Sequence, residues 1–168
     1  YGYLWISTIA GLSRINPETD EIKNYYTDKN NGNLSDSNLW QLLYTKDNKL
    51  IASTVNGLNV YDEKNDTFTR VLGNEKDLPS QYIYSIEEGP NGHIWIGTDN
   101  GLVEVDKNFK VVKTYEDTVA NSSVYDIDYD PNGYMWICTL DNGLFKVDLD
   151  NNSIINYKSD SNKYSLPS

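Results

Sequence analysis

One short motif occurs four times along the chain, and this repetition limits the possible folds more than any other feature. Each copy is an apolar segment that ends in threonine and is followed, three or four residues later, by a Gly-Leu pair. The period is about 40–45 residues, a length typical of propeller blades, and no helical periodicity accompanies it. The four copies end at Thr8, Thr54, Thr98 and Thr139.

Each repeat resolves into four short strands separated by turn residues. The first contains Trp5, Ile51, Trp95 or Trp136, and we call it the Trp-type strand. The second begins at the Gly-Leu pair and ends before an Asn or Asp, a residue that favours turns. The third ends near Tyr25, Val71, Tyr115 or Tyr157. The fourth, which we call the inner strand, has apolar residues at both parities, so burial on both faces is expected; its copies are 39–44, 82–86 and 124–129.

These patterns predict an all-β fold built from propeller blades of four antiparallel strands. The whole chain, residues 1–168, forms about four repeats of one propeller fragment, with approximate bounds 1–37, 38–80, 81–122 and 123–168. Because four blades are fewer than most propellers use, we expect the fragment to be part of a larger ring or of one completed by association of chains.

The charge balance excludes one large class of partner. Asp and Glu number 25 against 14 Lys and Arg, which gives a net charge of −11. A negative field of this size repels phosphate backbones, so nucleic acid is not an expected partner. No segment has the ~18 apolar residues of a membrane span, and any anchor or signal peptide is expected outside residues 1–168. The single cysteine, Cys138, rules out an internal disulfide and is predicted to be a small buried residue.

The motif resembles the two-component regulator propeller repeat. The resemblance lies in Asp-Pro-Asn-Gly-Tyr-Met-Trp-Ile-Cys-Thr at 130–139, in Gly-His-Ile-Trp-Ile-Gly-Thr at 92–98, and in the segment 78–80 before an inner strand. It implies an extracytoplasmic, periplasmic or cell-surface sensor domain of a bacterial membrane receptor. Such receptors signal through histidine kinases in a phosphorelay, hybrid regulators or diguanylate cyclases. The second repeat departs from the pattern, with Ile51 in the Trp position.

Catalytic residues are scarce, and we expect no enzyme activity from this chain. The only histidine, His93, occupies a repeat position held elsewhere by Tyr or Lys, so a solvent-facing role is expected. No serine lies in a nucleophile-elbow pattern. Two arginines, Arg14 and Arg70, are too few for the arginine cluster of a propeller sialidase. Paired carboxylates for glycoside hydrolysis stay possible among the 25 acids. A propeller enzyme acting on a polysaccharide or lactone is therefore the alternative reading, and a purely structural dimerisation spacer is a second.

A weak metal candidate lies in the fourth repeat. Asp128, Asp130 and Asn132, followed by Gly133, match the first half of a calcium loop. The position of the closing bidentate Glu holds Thr139, and Asp-Pro-Asn-Gly is independently a good turn. We therefore predict a turn without metal, and no cofactor.

Propeller topology predicts where a ligand would bind. The loops after the Trp-type strands and those before the inner strands emerge at one face; we call them the rim loops. A polar, acidic rim suits carbohydrate hydroxyls, another small molecule that is cationic, or a protein partner. Trp40, Tyr82, Tyr84 and Tyr125, on or beside inner strands, are candidates for lining a central channel. The predicted ligand-binding residues are Asp36, Asn38, Asn56, Gln81, Asp99, Asn100, Ser122, Ser123, Asp141 and Asn142.

Blades bury their faces against neighbouring blades, so a four-blade arc leaves two apolar faces uncovered. We therefore expect these arcs to self-associate, with two of them completing one eight-bladed ring. The first repeat is expected to lack an inner strand, and a further inner strand would begin at 166–168. Trp95 and Trp136 are predicted to be buried between blades.

Overall fold

The computed structural model describes residues 2–28, 30, 32–73, 76–115, 119, 121–159 and 166. These residues form four antiparallel sheets, one for each predicted repeat. Sheet 1 has three strands and sheets 2, 3 and 4 have four each, in the order in which the strands follow along the chain. The absence of an inner strand from sheet 1 is as predicted for the part of the chain that the structure describes. Pro167 and Ser168 lie outside the described residues.

The strand bounds agree with the predicted ones to within about two residues. Sheet 1 contains β1 (Leu4–Thr8), β2 (Gly11–Ile15) and β3 (Ile22–Tyr25), and sheet 2 contains β4 (Leu39–Tyr44), β5 (Leu50–Thr54), β6 (Gly57–Asp62) and β7 (Thr67–Leu72). Sheet 3 contains β8 (Ile83–Glu88), β9 (Ile94–Thr98), β10 (Gly101–Val105) and β11 (Val111–Thr114). Sheet 4 contains β12 (Val124–Asp130), β13 (Tyr134–Thr139), β14 (Leu144–Asp148) and β15 (Ile154–Tyr157).

The Thr-x-x-Gly part of the motif builds the turn after each Trp-type strand. In sheet 2, the Thr54 hydroxyl donates to the Gly57 carbonyl at 2.9 Å and accepts from the Asn56 N–H at 3.0 Å. The corresponding threonines of the other three sheets make the same pair of bonds. Gly57 has a φ of +99°, and a Cβ placed there would lie 2.1 Å from the Leu72 carbonyl oxygen. The motif therefore encodes a tight turn that requires glycine.

The chain divides into two compact units, Tyr1–Ile83 and Tyr84–Ser168. We call them unit 1 and unit 2; unit 1 holds sheets 1 and 2, and unit 2 contains nearly all of sheets 3 and 4. Each has its own apolar core between its two sheets. The buried core of unit 1 consists of Leu12, Tyr25, Leu34, Leu39, Leu50, Ala52 and Phe68. The buried core of unit 2 consists of Trp95, Leu102, Tyr115, Val119, Val124, Ile127, Met135, Ile137, Phe145 and Val147.

A charged and aromatic cluster joins the two sheets of unit 1. The Asp66 carboxylate, in the turn between β6 and β7, accepts hydrogen bonds from Arg14 at 3.0 Å, Tyr25 at 2.7 Å and Tyr61 at 2.5 Å, and from Lys23. Burial tends to raise the pKa of Asp66, but these donors together hold it well below its usual range. Burial and the bond to Asp66 raise the pKa of Tyr61 to about 12. Asp66 therefore ties sheet 1 to sheet 2.

The expectation that the inner strands are buried on both faces holds only in part. In β8 most residues are buried, whereas β4 and β12 each keep exposed positions. The strands buried along their whole length are the Trp-type strands β5 and β9, each paired on both edges within its own sheet. The registers of the β4 and β12 ladders also shift at a bulge, at Trp40 and Tyr125, and both side chains are exposed.

Two predictions of burial in the fourth repeat are wrong. Trp95 is buried as predicted, but Trp136 is only half-buried and stacks on Tyr157 with ring centroids 5.9 Å apart. Cys138 is exposed rather than buried. Both residues alternate with buried Ile137 along β13, so they lie on the opposite face of sheet 4.

Candidate functional site

The sheet register places the two sets of rim loops together. Leu39, the first residue of β4, pairs with Thr54, the last residue of β5, and Val124 pairs in the same way with Thr139. The loop before each inner strand therefore lies at the same sheet edge as the loop after the Trp-type strand, as predicted. We describe the loops of unit 1 and unit 2 separately.

In unit 1 the loops on the two sides of sheet 2 are joined by hydrogen bonds. The Val55 N–H donates to the Asn38 carbonyl at 3.2 Å, and the Asn56 side-chain amide donates to the Ser35 carbonyl at 3.0 Å. The Asp36 carboxylate accepts from the Asn38 N–H at 2.9 Å. The structure thus brings three of the predicted residues, Asp36, Asn38 and Asn56, into one cluster.

Arg70 extends this cluster, although the sequence analysis did not predict it as a site residue. Its Nη2 donates to Asn56 Oδ1 at 2.8 Å, to Gln81 Oε1 at 3.2 Å and to the Gly73 carbonyl at 2.6 Å. The Gln81 carbonyl also accepts from the Gly57 N–H at 2.8 Å. The sequence did contain a signal for this role. Arg70 is one of only two arginines in the chain, and it stands three residues before Gly73, which opens the loop before β8.

In unit 2 a second cluster joins the loops of sheets 3 and 4. The Ser123 hydroxyl donates to the Asp99 carbonyl at 3.1 Å, and the Leu140 N–H donates to the Ser123 carbonyl at 3.0 Å. The backbone N–H of Asn100 donates to the Thr98 hydroxyl at 3.2 Å, and that of Asn142 donates to the Thr139 hydroxyl at 3.1 Å. Asp141 is exposed in the loop after β13. The structure brings Asp99 and Ser123 together and leaves Asp141 pointing to solvent.

Unsatisfied buried polar atoms concentrate in the rim loops. Among the described residues, Asn38 Oδ1, Asp99 Oδ1, Ser122 Oγ and Trp5 Nε1 are buried without a hydrogen-bond partner, and the first three belong to the rim loops. Ser122 is 1% exposed, so its hydroxyl is withdrawn from bulk solvent. An unmatched buried polar atom costs ~1–3 kcal/mol, which a bound partner or water recovers. Of the features of the rim loops, these atoms without hydrogen-bond partners most favour a bound ligand.

The calcium-like string forms a hairpin turn between β12 and β13. Asp130 Oδ1 accepts from the Asn132 N–H at 2.8 Å and from its side-chain amide at 2.7 Å. These bonds lower the pKa of Asp130, the backbone bond contributing most. Asp128 is exposed, and no group of three His, Cys, Asp or Glu side chains within the described ranges is arranged to hold a metal ion. The Asp130 carboxylate therefore accepts the hydrogen bonds that close the turn.

His93 is not solvent-facing as expected but lies partly buried beside a carboxylate. Its Nδ1 is 2.7 Å from Glu104 Oε1, and the Tyr115 hydroxyl donates to the other Glu104 oxygen at 3.4 Å. This arrangement pairs strands β9 and β10 near their ends. It places a glutamate, not a serine, against the imidazole, so it is not the geometry of a serine triad.

Glu87, on inner strand β8, has a raised pKa. Burial raises its pKa, and so do the charges of Asp128, Glu88 and Asp126, while a hydrogen bond from the Tyr129 N–H opposes the shift. Glu87 lies in the second half of β8, away from the rim end at Ile83. The acids of the inner strands are thus separate from the rim loops.

Antiparallel sheets of three or four strands pack face to face within each unit, and each strand is joined to its neighbour by a local connection. These features define the blades of a β-propeller. Residues 77–100 and 118–141 match the family model described as two component regulator propeller, which confirms the resemblance noted in the motif.

Two bacterial signalling proteins are similar to this chain in sequence or in structure. A histidine kinase of Formosa agariphila is 51% identical over 41 residues, which is 23% of this chain and 3% of that protein. The extracellular domain of a protein described as a hybrid two-component system of B. thetaiotaomicron superposes with a TM-score of 0.83 at 24% identity. That match covers 98% of this chain and 22% of the other.

A propeller enzyme is also similar in fold. The virginiamycin B lyase of Staphylococcus aureus superposes with a TM-score of 0.72 at 20% identity, covering 95% of this chain and 53% of the lyase. The chain therefore spans only part of each of these proteins. At such identities the superpositions establish a shared fold, and a shared fold does not establish a shared activity.

Proposed function

We propose that this chain is a non-catalytic sensor module, part of an extracytoplasmic propeller in a bacterial signalling receptor, and that its rim loops bind the signal. The repeats of the two-component regulator type and the similarity to a histidine kinase support the signalling role. The similarity in fold to an extracellular receptor domain supports the location. In the described part of the chain, no helix has the length and hydropathy to span a bilayer.

The observation that carries this proposal is the set of unmatched polar atoms in the rim loops. Asn38 Oδ1 and Asp99 Oδ1 are acceptors, and the Ser122 hydroxyl both donates and accepts. A ligand that satisfies either of these two acceptors, Asn38 in unit 1 or Asp99 in unit 2, must therefore supply a hydrogen-bond donor. A donor-rich ligand also suits a chain with a net charge of −11.

Carbohydrate is the ligand class that fits these atoms best. Sugar hydroxyls donate hydrogen bonds without the cost of burying a second charge, and the faces of sugar rings pack on aromatic side chains. The bulges of β4 and β12 expose such side chains, Trp40 and Tyr125, one residue into the inner strand and so close to the rim loops. We therefore assign the rim loops to recognition of a neutral saccharide.

The proposal is tested by titrating the chain calorimetrically with a panel of neutral di- and trisaccharides. Asp99→Asn replaces one acceptor by a donor at the rim, and we expect affinity at least ~10-fold lower, equal to about 1.4 kcal/mol. Asp150→Asn is the matched control, because Asp150 is exposed in a turn between β14 and β15. Absence of binding by every saccharide, or binding that Asp99→Asn leaves unchanged, would count against the rim site.

An enzyme is the second candidate, and the raised pKa of Glu87 is the observation that favours it. A general acid needs such a shift, and Asp126 and Asp128 supply neighbouring carboxylates. Turnover of the same saccharides by the wild-type chain, abolished by Glu87→Gln, would replace the sensor proposal by a hydrolase. We expect no turnover, since the raised pKa arises away from the rim loops.

A further inference from the structure

Arg70 is a cation in the rim loops of unit 1 that has no acidic partner. Its Nη2 lies within hydrogen-bonding distance of Asn56 Oδ1, Gln81 Oε1 and the Gly73 carbonyl, at 2.8, 3.2 and 2.6 Å. All three acceptors are neutral, and no ion pair among the described residues includes Arg70. The rim loops of unit 1 therefore hold neutral acceptors arranged around a guanidinium group.

Two glycines leave room for this guanidinium. A Cβ placed at Gly57 would lie 2.8 Å from Arg70 Nε, and one placed at Gly73 would overlap the guanidinium carbon and nitrogens. Any other residue at either position would therefore have to displace the Arg70 side chain. The place of the guanidinium in unit 1 is thus fixed by packing against bare backbone as well as by hydrogen bonds.

The strand registers place Thr114 of unit 2 at the position of Arg70. Arg70 pairs with Asn59, the third residue of β6. Thr114 pairs with Val103, the third residue of β10. Threonine is uncharged and shorter than arginine, and Thr114 is exposed. At this position, unit 2 supplies no guanidinium of its own.

Acceptors are retained at the corresponding positions of unit 2. Asn100 corresponds to Asn56, since each directly precedes the glycine of a Thr-x-x-Gly turn. Ser122 corresponds to Gln81, since each lies two residues before the first residue of an inner strand. Because Asn56 and Gln81 contact the same guanidinium nitrogen in unit 1, we expect Asn100 and Ser122 to adjoin one common space.

The acceptors of unit 2 also lack partners. Ser122 is 1% exposed, and its Oγ has no hydrogen-bond partner. Asp99 stands where unit 1 has Val55, and its buried Oδ1 has no partner either. The Ser123 hydroxyl donates to the Asp99 carbonyl at 3.1 Å, which brings the two loops together. Unit 2 therefore has a carboxylate and further acceptors where unit 1 has its own cation.

We infer that the rim loops of unit 2 bind a guanidinium group of another molecule, at the place that the Arg70 guanidinium occupies in unit 1. A guanidinium has five N–H donors in one plane and is more weakly hydrated than an ammonium ion, so it suits several acceptors beside a partly buried carboxylate. Its hydrogen bonds to Asp99 are charge-assisted and are therefore the strongest of the set. The net charge of −11 attracts such a cation.

This inference goes beyond the saccharide proposal and does not rest on it. The saccharide proposal draws on acceptors and aromatic side chains of both units, whereas the guanidinium site belongs to unit 2 alone. Both involve Asp99, so their tests use different probes. A chain that binds no saccharide leaves the guanidinium experiment interpretable, and the reverse also holds.

The probe is methylguanidinium, titrated into the whole chain at constant ionic strength while amide chemical shifts are recorded by NMR. We expect saturable shifts at residues 98–101 and 121–124. Tetramethylammonium has the same charge but no N–H donor, and it should bind at least ~10-fold more weakly, because it makes no hydrogen bond to the carboxylate. Free arginine and a short peptide with one central arginine then show whether a small molecule or a protein partner supplies the group.

Exchanging residues between the repeats tests the position of the site. Thr114→Arg supplies a guanidinium from within unit 2, so it should lower the affinity for methylguanidinium at least ~10-fold by occupying the acceptors. Asn156→Arg is the matched control, because Asn156 occupies the corresponding position of sheet 4 and is exposed. It should leave the affinity within ~2-fold of wild type. Circular dichroism establishes that each variant is folded.

The reciprocal variant, Arg70→Thr, tests the same acceptor positions in unit 1. It should lower the melting temperature, because Asn56 and Gln81 lose a shared donor. Methylguanidinium should restore part of this loss and add shifts at residues 56–57 and 81, whereas tetramethylammonium should not. Failure of methylguanidinium to do so would mean that these positions do not form a guanidinium site.

The following results overturn the inference. Equal affinities for methylguanidinium and tetramethylammonium would show attraction by net charge only. Unchanged affinity in Thr114→Arg, or shifts confined to residues outside the rim loops of unit 2, would place the cation elsewhere. If Thr114→Arg does not fold, Asp99→Asn decides the matter, since it should weaken binding at least ~10-fold and an unchanged affinity would exclude the site.

Discussion

At the scale of single residues, Asp66 is the side chain on which most contacts converge. It accepts hydrogen bonds from four side chains, three of them from sheet 1, and it lies at a positive φ of 53° in its turn. Asp20 occupies the equivalent turn of sheet 1 with a φ of 58°, and Asn152 that of sheet 4. Phe109 has a φ of 64° in the corresponding turn of sheet 3, so the turn accepts several residue types, and of these four described residues Asp66 alone has cationic partners.

Replacing Asp66 tests how much this convergence stabilises unit 1. We expect Asp66→Asn to lower the free energy of unfolding by about 1–2 kcal/mol, since a charged hydrogen-bond acceptor is lost at a site that is one-third exposed. Asp20→Asn, with the same backbone demand and no such partners among the described residues, should change it by less than ~0.5 kcal/mol. Urea unfolding of both variants measures the difference; equal losses would contradict the role of the carboxylate.

The lowered pKa of Asp66 also predicts a pH dependence. Because the pKa is lower in the folded than in the unfolded chain, this residue stabilises the fold fully above the unfolded value of about 4. Its contribution decreases as the pH falls below 4. Wild type and Asp66→Asn should therefore differ in melting temperature at pH 7 and converge as the pH is lowered below 4. A constant difference across this range would contradict it.

Replacing Trp95 or Trp136 by alanine should lower the free energy of unfolding by unequal amounts. Trp95 is buried in the core of unit 2, with its ring 5.0 Å from that of Tyr115, so Trp95→Ala should cost about 3–5 kcal/mol. Trp136 is half-buried and donates a hydrogen bond to Asp130, so Trp136→Ala should cost only about 1–2 kcal/mol. Urea unfolding under conditions in which the chain is monomeric checks both values, and equal costs would show that Trp136 is buried in solution.

At the scale of elements, the turn after the Trp-type strand sets the geometry of each sheet. Gly57 and Gly133 both have positive φ, but only at Gly57 does the carbonyl of Leu72 occupy the space of a Cβ. We expect Gly57→Ala to destabilise by more than ~3 kcal/mol, and Gly133→Ala by about 1 kcal/mol through backbone strain alone. Thermal unfolding of the two variants compares them. A similar loss at both positions would mean that the close approach at Gly57 relaxes.

The hairpin between β12 and β13 should form without a metal ion. Asp130 is bonded to Asn132, and the position of the closing carboxylate holds Thr139, so calcium affinity should be millimolar at best. At 1 mM calcium the stabilisation would then be well under ~1 kcal/mol. Melting curves recorded with calcium and with chelator should nearly coincide, and a shift of many degrees would reassign Asp128 and Asp130 as ligands.

At the scale of the whole molecule, the excess of acidic residues governs the response to salt. A net charge of −11 produces self-repulsion that ions screen, so the melting temperature should rise between low and physiological ionic strength. Measurement at low protein concentration separates this effect from association between copies. A falling melting temperature would mean that attractive pairs such as Arg14 with Asp66 outweigh the repulsion.

The repeat, the strands and the turns were predictable from local sequence, because they depend on contacts within a few residues. The alternation of apolar residues, the Thr-x-x-Gly turn and the Asx residues after each second strand act locally. They placed the strand bounds to within about two residues and predicted that the rim loops share a sheet edge. The resemblance that the model match of residues 77–100 and 118–141 supports was readable for the same reason, since the motif is the turn and the strand before it.

Which side chains contact each other depends on long-range packing, which the local pattern does not encode. The bonds of Arg70 to Asn56 and Gln81, and those of Asp66 to Arg14 and Lys23, join residues that are 11 to 52 positions apart. Nothing in the local pattern distinguishes Trp136 from Trp95 either, because both occupy the same position of the same motif. Their burial differs because Tyr115 and the residues of sheet 4 pack around Trp95, whereas Trp136 lies on the outward face of that sheet. Local sequence fixes the backbone of a repeat, and the surface that each face meets depends on what packs against it.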